Sequence, residues 1–183
     1  MKELIRACEI FVMKTYKQYQ GKFGSNFMIL VTKKMINIIL EENPKHVNVN
    51  ALILGAYLHD IGRVKDDSEQ HTFEGVKIAL KFFKSMNFDD KYTINIVKDC
   101  ILNHGSSAKP LTKEGELVQK LDKIVLIDKD VVSIYMAQLN KKLSLNEAML
   151  AARSKLEKWF TSLSYEDQSK YRLKYVECLE IFK

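Results

Sequence analysis

The run "ALILGAYLHDIGR", Ala51 to Arg63, constrains the fold more than any other stretch of the chain. From Ala51 through Leu58 it has no polar face, and a helix that is apolar all round is buried on every side. The rest of the chain must therefore wrap around it. The run finishes in two adjacent ionisable residues, His59 and Asp60, which enter the interior or its rim. Buried charge is costly unless it is paired or bound to a metal, so these two require partners from elsewhere in the sequence.

The surrounding pattern is helical. Only two prolines and seven glycines interrupt 183 residues, and apolar positions recur at spacings of three and four rather than two. This predicts an all-α fold, a single compact helical bundle of about seven or eight helices. One domain over residues 1–183 is expected, long enough to bury a core without disulfide or zinc staples.

The predicted helices follow from caps and breakers. The first runs from Glu3 to Tyr19 and is broken by Gly21 to Gly24. A second starts at the capping pair Ser25 and Asn26 and stops before Pro44. A third, capped by Asn50, carries His59 and Asp60 and is ended by Gly62. A fourth starts at His71, a fifth is opened by Asp89 or Asp90 and runs to Asn103, and a sixth spans Glu114 to about Lys129. Two more open with the capping boxes Ser144–Glu147 and Ser164–Asp167. Trp159, Phe160, Tyr171, Tyr175 and Phe182 in these last helices read as packing residues.

Cys8, Cys100 and Cys178 are odd in number and far apart, which argues against a disulfide framework or a structural zinc site and for buried thiols in a reducing compartment. The first six residues lack a secretory pattern, and no apolar stretch is long enough to span a bilayer. The expected location is cytoplasmic. The net charge of +6 suits anionic partners such as phosphorylated metabolites, and interspersed lysines on solvated helix faces account for the same number. A nucleic-acid-binding module ranks last, because no reader motif is visible and no aromatic residues interleave with a basic run.

Several ionisable residues interrupt apolar faces. Asp122 has Val118, Val125 and Leu126 at helical spacing, so its carboxylate is predicted to point toward the core. His104 continues the face of Val97, Cys100 and Ile101, and His71 opens the face continued by Gly75 and Ile78. Singly, a core histidine bonded to a carbonyl or an Asp capping a helix is the simpler reading of each. Together, three histidines and two carboxylates predict a shared pocket. His46, in a polar loop after Pro44, is expected in solvent.

Imidazole nitrogen with carboxylate oxygen suits a divalent ion such as manganese, iron, cobalt, nickel or magnesium better than a thiolate-loving one. Consecutive helical residues project about 100° apart, so His59 and Asp60 can flank one ion, with Asp122 coming from another helix. Three such ligands leave coordination positions for water and substrate.

These residues also carry a family resemblance. "LHDIGR" resembles the signature of HD-domain metal-dependent phosphohydrolases, all-helical enzymes with an early His, an adjacent His-Asp, one or two intervening His and a late Asp. "HTFEGVKIA" is similar to the family's His-x-x-x-Gly segment, "ILNHG" to its next histidine segment, and "LVQKLDKI" to the segment ending in the late Asp. Order and spacing agree from about Ser25 to Asp128. The resemblance implies that His59, Asp60 and Asp122 are metal ligands, and that His71 and His104 contact the substrate phosphate or hold a second metal. The sequence departs from the pattern at the early histidine. Near the start of the second helix it has Asn26, with a neutral amide oxygen, and Phe27, which cannot ligate.

The expectation is a metal-dependent phosphohydrolase acting on a nucleotide or other small phosphate ester, as a phosphomonoesterase, phosphodiesterase or nucleotide pyrophosphohydrolase. Asp60 would ligate and orient the nucleophile, and protonated His71 and His104 would stabilise phosphoryl charge or protonate the leaving group. Arg63, one turn beyond His59, is a candidate for bidentate phosphate contact. Lys65 is expected in solvent. Asp66, Asp67 and Glu69 are candidate general acids, a solvated loop being the simpler reading. The departure at Asn26 and Phe27 leaves three outcomes open: water fills the coordination position, His71 or His104 replaces the imidazole, or the domain binds a phosphorylated ligand as a sensor without turning it over.

Overall fold

The computed structural model describes residues 1–68, 70–105 and 107–183. Nine α-helices and no strand occur among them: α1 (Lys2–Lys17), α2 (Ser25–Glu42), α3 (Val49–Leu58), α4 (His71–Ser85), α5 (Lys91–Leu102), α6 (Lys113–Val125), α7 (Lys129–Leu139), α8 (Leu145–Thr161) and α9 (Tyr165–Leu179). A 3-10 turn, Ile61–Val64, joins α3 to the segment before α4. Among the described residues no helix is long and apolar enough to cross a membrane.

Helix α3 is the central element. Every residue from Ala51 to Leu58 is buried, and α1, α2, α5 and α6 pack around it. A second, smaller core joins Ile124, Ile127 and Val132 to Leu156, Leu163, Tyr171 and Cys178, so α8 and α9 seat against the end of α6 and the start of α7. Lys120 reinforces that seat with a 2.7 Å ion pair to Asp167 on α9.

Four boundaries differ from the sequence expectation. Helix α2 starts with Gly24 at the N-cap at a positive φ of 77°, and neither Ser25 nor Asn26 caps it. Helix α3 is capped by Asn48, whose side chain accepts from the Ala51 N–H, rather than by Asn50. That helix ends at Leu58, before Gly62, because the chain tightens into the 3-10 turn. The helix expected from Glu114 to about Lys129 stops at Val125, and a further helix not expected from the sequence, α7, opens at Lys129. Asp128 accepts from the N–H groups of Asp130 and Val131, satisfying orphan donors at the start of α7.

Gly62 sets the distance between that turn and α4. A Cβ there would overlap the His71 carbonyl oxygen and the Gly75 nitrogen. Only a bare backbone lets the first turn of α4 lie against the turn that follows Asp60.

Candidate metal centre

Five elements deliver the polar side chains. His59 follows the last residue of α3, Asp60 precedes the 3-10 turn, His71 is the first residue of α4, His104 follows the C-terminus of α5 and Asp122 lies in α6. The five expected residues, with Arg63, all line one cavity, together with Phe23, Phe27, Met28, Val31, Thr32, Gly105, Lys123, Leu126, Lys155 and Trp159. All three histidines are buried. His46 is exposed and outside the cavity.

The imidazoles share one orientation. Nδ1 lies 2.9 Å from the Ala56 carbonyl oxygen in His59, 2.7 Å from that of Ser68 in His71, and 2.9 Å from that of Ile101 in His104. A carbonyl oxygen only accepts, so each Nδ1 carries hydrogen and each Nε2 turns a lone pair, or a second proton, toward the cavity.

Around Asp60 the donors are crowded. Its Oδ1 lies 3.0 Å from His71 Nε2, 3.2 Å from His104 Nε2 and 2.7 Å from Arg63 Nε, and the two Nε2 atoms are 3.3 Å apart. Asp60 is held well below the usual carboxylate range. Burial opposes ionisation there, and the Arg63 guanidinium with the three imidazoles outweighs it.

His59 is different. Its Nε2 has no hydrogen-bond partner among the described residues and stands 3.6 Å from Asp122 Oδ1 and 3.8 Å from Asp60 Oδ2. Burial disfavours its charged form, and Asp122 with Asp60 overcomes that and pushes it up to about 8.

This donor set fits a divalent cation. Donors bound about 2.1 Å from an ion at right angles stand about 3 Å apart, the spacing found among Asp60, His71 and His104, which together can hold one ion. A buried lone pair facing two carboxylates just outside hydrogen-bond distance, as at His59, is likewise satisfied by a cation. Imidazole and carboxylate donors with no thiolate favour the nitrogen- and oxygen-loving metals. The sequence placed His59 with Asp60 and Asp122; His71 and His104 approach Asp60 more closely than His59 does.

The supporting contacts were less visible in the sequence. Asp99, buried on α5, accepts from the N–H groups of Leu111 and Thr112, the Thr112 hydroxyl and the Asn103 amide. Gln119 Nε2 on α6 donates to the carbonyls of Asn103, Gly105 and Ala108. These bonds fix the segment that carries His104. Asp67, a candidate general acid from sequence, instead accepts from the Tyr19 hydroxyl and the Lys22 N–H, tying the α1–α2 loop to the segment before α4. Asp66 accepts from the Ser68 N–H, Lys65 is exposed, and Glu69 lies outside the described residues.

Arg63 is neither solvated nor free: it pairs with Asp60 and lies over the Phe23 ring, 5.1 Å from its centroid. Trp159, read from sequence as packing alone, does pack on Tyr135 at 5.5 Å between ring centroids, yet it also lines the cavity with Lys155. Helix α8 therefore reaches the centre. Phe27 is buried in the cavity wall, whereas Asn26 is exposed and faces a neighbouring cavity.

No curated protein and no solved structure matches the chain significantly. The sequence model of one family, described as HD domain, matches residues 28–127. That span covers more than half of the chain and contains His59, Asp60, His71, His104 and Asp122. With the all-helical architecture and the convergence of those five side chains, it establishes that this chain belongs to the HD domain family.

Proposed function

We propose that the chain is a metal-dependent phosphohydrolase acting on a nucleotide or other small phosphate ester. The observation that carries this reading is the meeting of Asp60, His71 and His104 at 3.0–3.3 Å beside the unpartnered His59 Nε2. His59, Asp60 and Asp122 would hold the ion, with His71 and His104 either adding to it or serving the phosphate. When bound, a divalent cation, whether manganese, iron, cobalt, nickel or magnesium, supplies Lewis acidity that acidifies water and polarises a phosphoryl oxygen.

The chain's own residues supply the rest. Asp60, ionised by its neighbours, accepts a hydrogen bond from the attacking water and aligns it. Water oxygen forms the new P–O bond while the ester P–O bond breaks with its electron pair, and a proton from water ends on the leaving oxygen. His71 and His104 are placed to carry that proton at Nε2. Among the described residues Arg63 hydrogen-bonds through its Nε–H alone, to Asp60, which leaves guanidinium donors for a phosphoryl oxygen, and Lys123 and Lys155 line the same cavity.

The unpaired, buried Cys8, Cys100 and Cys178 support a cytoplasmic setting. The contribution of α8 to the cavity supports reading residues 1–183 as one domain. Metal analysis of the purified protein, followed by a screen of nucleotides and sugar phosphates with several divalent ions, tests the proposal. Metal-dependent turnover that falls at least a hundredfold in Asp60→Asn and Asp122→Ala is the expected result. Equal turnover in the wild type and both variants defeats it.

A second reading has one observation behind it. Phe27 occupies the cavity wall where the family resemblance calls for an imidazole, which favours a sensor that binds a phosphorylated ligand without hydrolysing it. Tight binding with no turnover under any metal would select that reading.

A further inference from the structure

The cavity at the cluster measures about 180 Å³. At about 30 Å³ per water, this accommodates a phosphoryl group and a few waters, and it is smaller than the roughly 300–1,000 Å³ of sites that enclose an organic ligand. A phosphate ester of nucleoside size must place its organic portion somewhere else.

Beside it lies a second cavity of about 590 Å³, between the Tyr19–Gly24 loop, the first turn of α2 and the C-terminal half of α7. The two cavities share Phe23 and Phe27. These rings stack at 5.1 Å between centroids with 18° between planes, so the partition is aromatic. Phe27 is its buried member and Phe23 the half-exposed one, and a ligand reaching both cavities would pass over Phe23.

The lining of the second cavity is selective. Gln20, Asn26 and Gln138 contribute carboxamides, Lys141 and Lys142 contribute cations, and no Asp or Glu is present among its described lining residues. Neither lysine's ammonium group has an ion-pair or hydrogen-bond partner among the described residues, in contrast to those of Lys34 and Lys120, which pair with carboxylates. The walls are tied together: Gln138 Nε2 donates to the Gly21 carbonyl at 3.4 Å, and Asp67 holds the Tyr19–Lys22 segment from the other side.

We propose that this second cavity is the leaving-group subsite, and that it takes an organic moiety of nucleoside size that itself carries an anionic group. The assignment as a leaving-group site rests on the phosphohydrolase reading; the binding it describes does not. The phosphoryl group to be attacked sits on the Asp60 side of the Phe23–Phe27 partition, and the second anion meets Lys141 and Lys142.

The test reads binding and turnover separately. Chelator-treated protein is titrated calorimetrically with adenosine 3′,5′-bisphosphate and adenosine 5′-monophosphate, using the wild type, Lys141→Ala/Lys142→Ala and Ala137→Trp. All three positions are on the surface, and the tryptophan fills the cavity from α7. The wild type should prefer the bisphosphate at least tenfold, and both variants should lose that preference. With manganese added, the ratio of kcat/KM for the bisphosphate to that for p-nitrophenyl phosphate should fall at least tenfold in both variants, through KM. Absence of the preference in the wild type, or its survival in both variants, overturns the proposal. A wild type that hydrolyses no ester but shows the variant-sensitive preference sinks the hydrolase reading and supports the subsite.

Discussion

The Nε2 atoms of His71 and His104 stand 3.3 Å apart across 33 residues of sequence, and both face Asp60 Oδ1. Their Nδ1–H groups are committed to the Ser68 and Ile101 carbonyls. In the neutral rings three lone-pair-bearing atoms would therefore crowd together, and only a proton or a cation relieves them. The arrangement is prepared for positive charge.

Metal should consequently stabilise the fold. An ion at a hundred times its Kd adds about 2.7 kcal/mol. Manganese or cobalt is expected to raise the wild-type melting temperature by several degrees, and a chelator should reverse the rise. His104→Ala should lose most of this response, and His46→Ala, at an exposed site, should keep it. Differential scanning fluorimetry measures both, and an equal response in the two variants would remove the cluster as the binding site.

In chelated protein the pH dependence should carry the signature of His59. Its pKa is raised from 6.5 to about 8, a shift worth up to about 2 kcal/mol. Since the folded value is the higher one, this stabilisation is complete below pH 6.5 and is lost as pH rises through about 8. The metal-free melting temperature should fall between pH 6 and pH 9. His59→Gln should flatten that slope, and a slope that persists in it would assign the effect to another group.

Gln119 is expected to act at a distance from the chemistry. Its amide spans the carbonyls of Asn103, Gly105 and Ala108, and Gln119→Leu removes that shared donor, leaving Gly105 only the Ala108 N–H. The cost should be about 1–3 kcal/mol of stability, and a mispositioned His104 should weaken metal binding roughly tenfold. Gln119→Glu, which retains the length but lacks the N–H, should behave like the leucine variant. Urea melts and metal titrations read the two effects independently. Unchanged metal affinity in both variants would make the clamp purely structural.

What was legible in the sequence followed from periodicity. The apolar run before His59, and the apolar neighbours of His71, His104 and Asp122, forced those side chains toward one interior. The division between α6 and α7 was not legible, because Val125, Leu126 and Ile127 continue the apolar pattern up to Asp128, and its capping role depends on the chain turning there. Asp99 and Gln119 escaped notice for a different reason. Their partners are backbone groups of an irregular segment, and no residue pattern encodes such bonds. The site role of Trp159 was hidden too, since an aromatic on an apolar face looks the same whether it fills a core or lines a cavity.

The departure at the second helix can be tested by restoring an imidazole. Phe27 lines the cavity of the cluster, whereas Asn26 is exposed and lines only the neighbouring one. Phe27→His should therefore tighten manganese binding about tenfold, worth about 1.4 kcal/mol, and Asn26→His should not. The gain has a structural cost, because the Phe27 ring stacks on Phe23 and meets Tyr135 at 5.8 Å. Losing those contacts should lower metal-free stability by about 1–3 kcal/mol. Calorimetric titration with manganese and denaturant melts of both variants separate the two effects. Tighter binding in Asn26→His but not in Phe27→His would mean that the vacant ligand position is reached from the other face of α2.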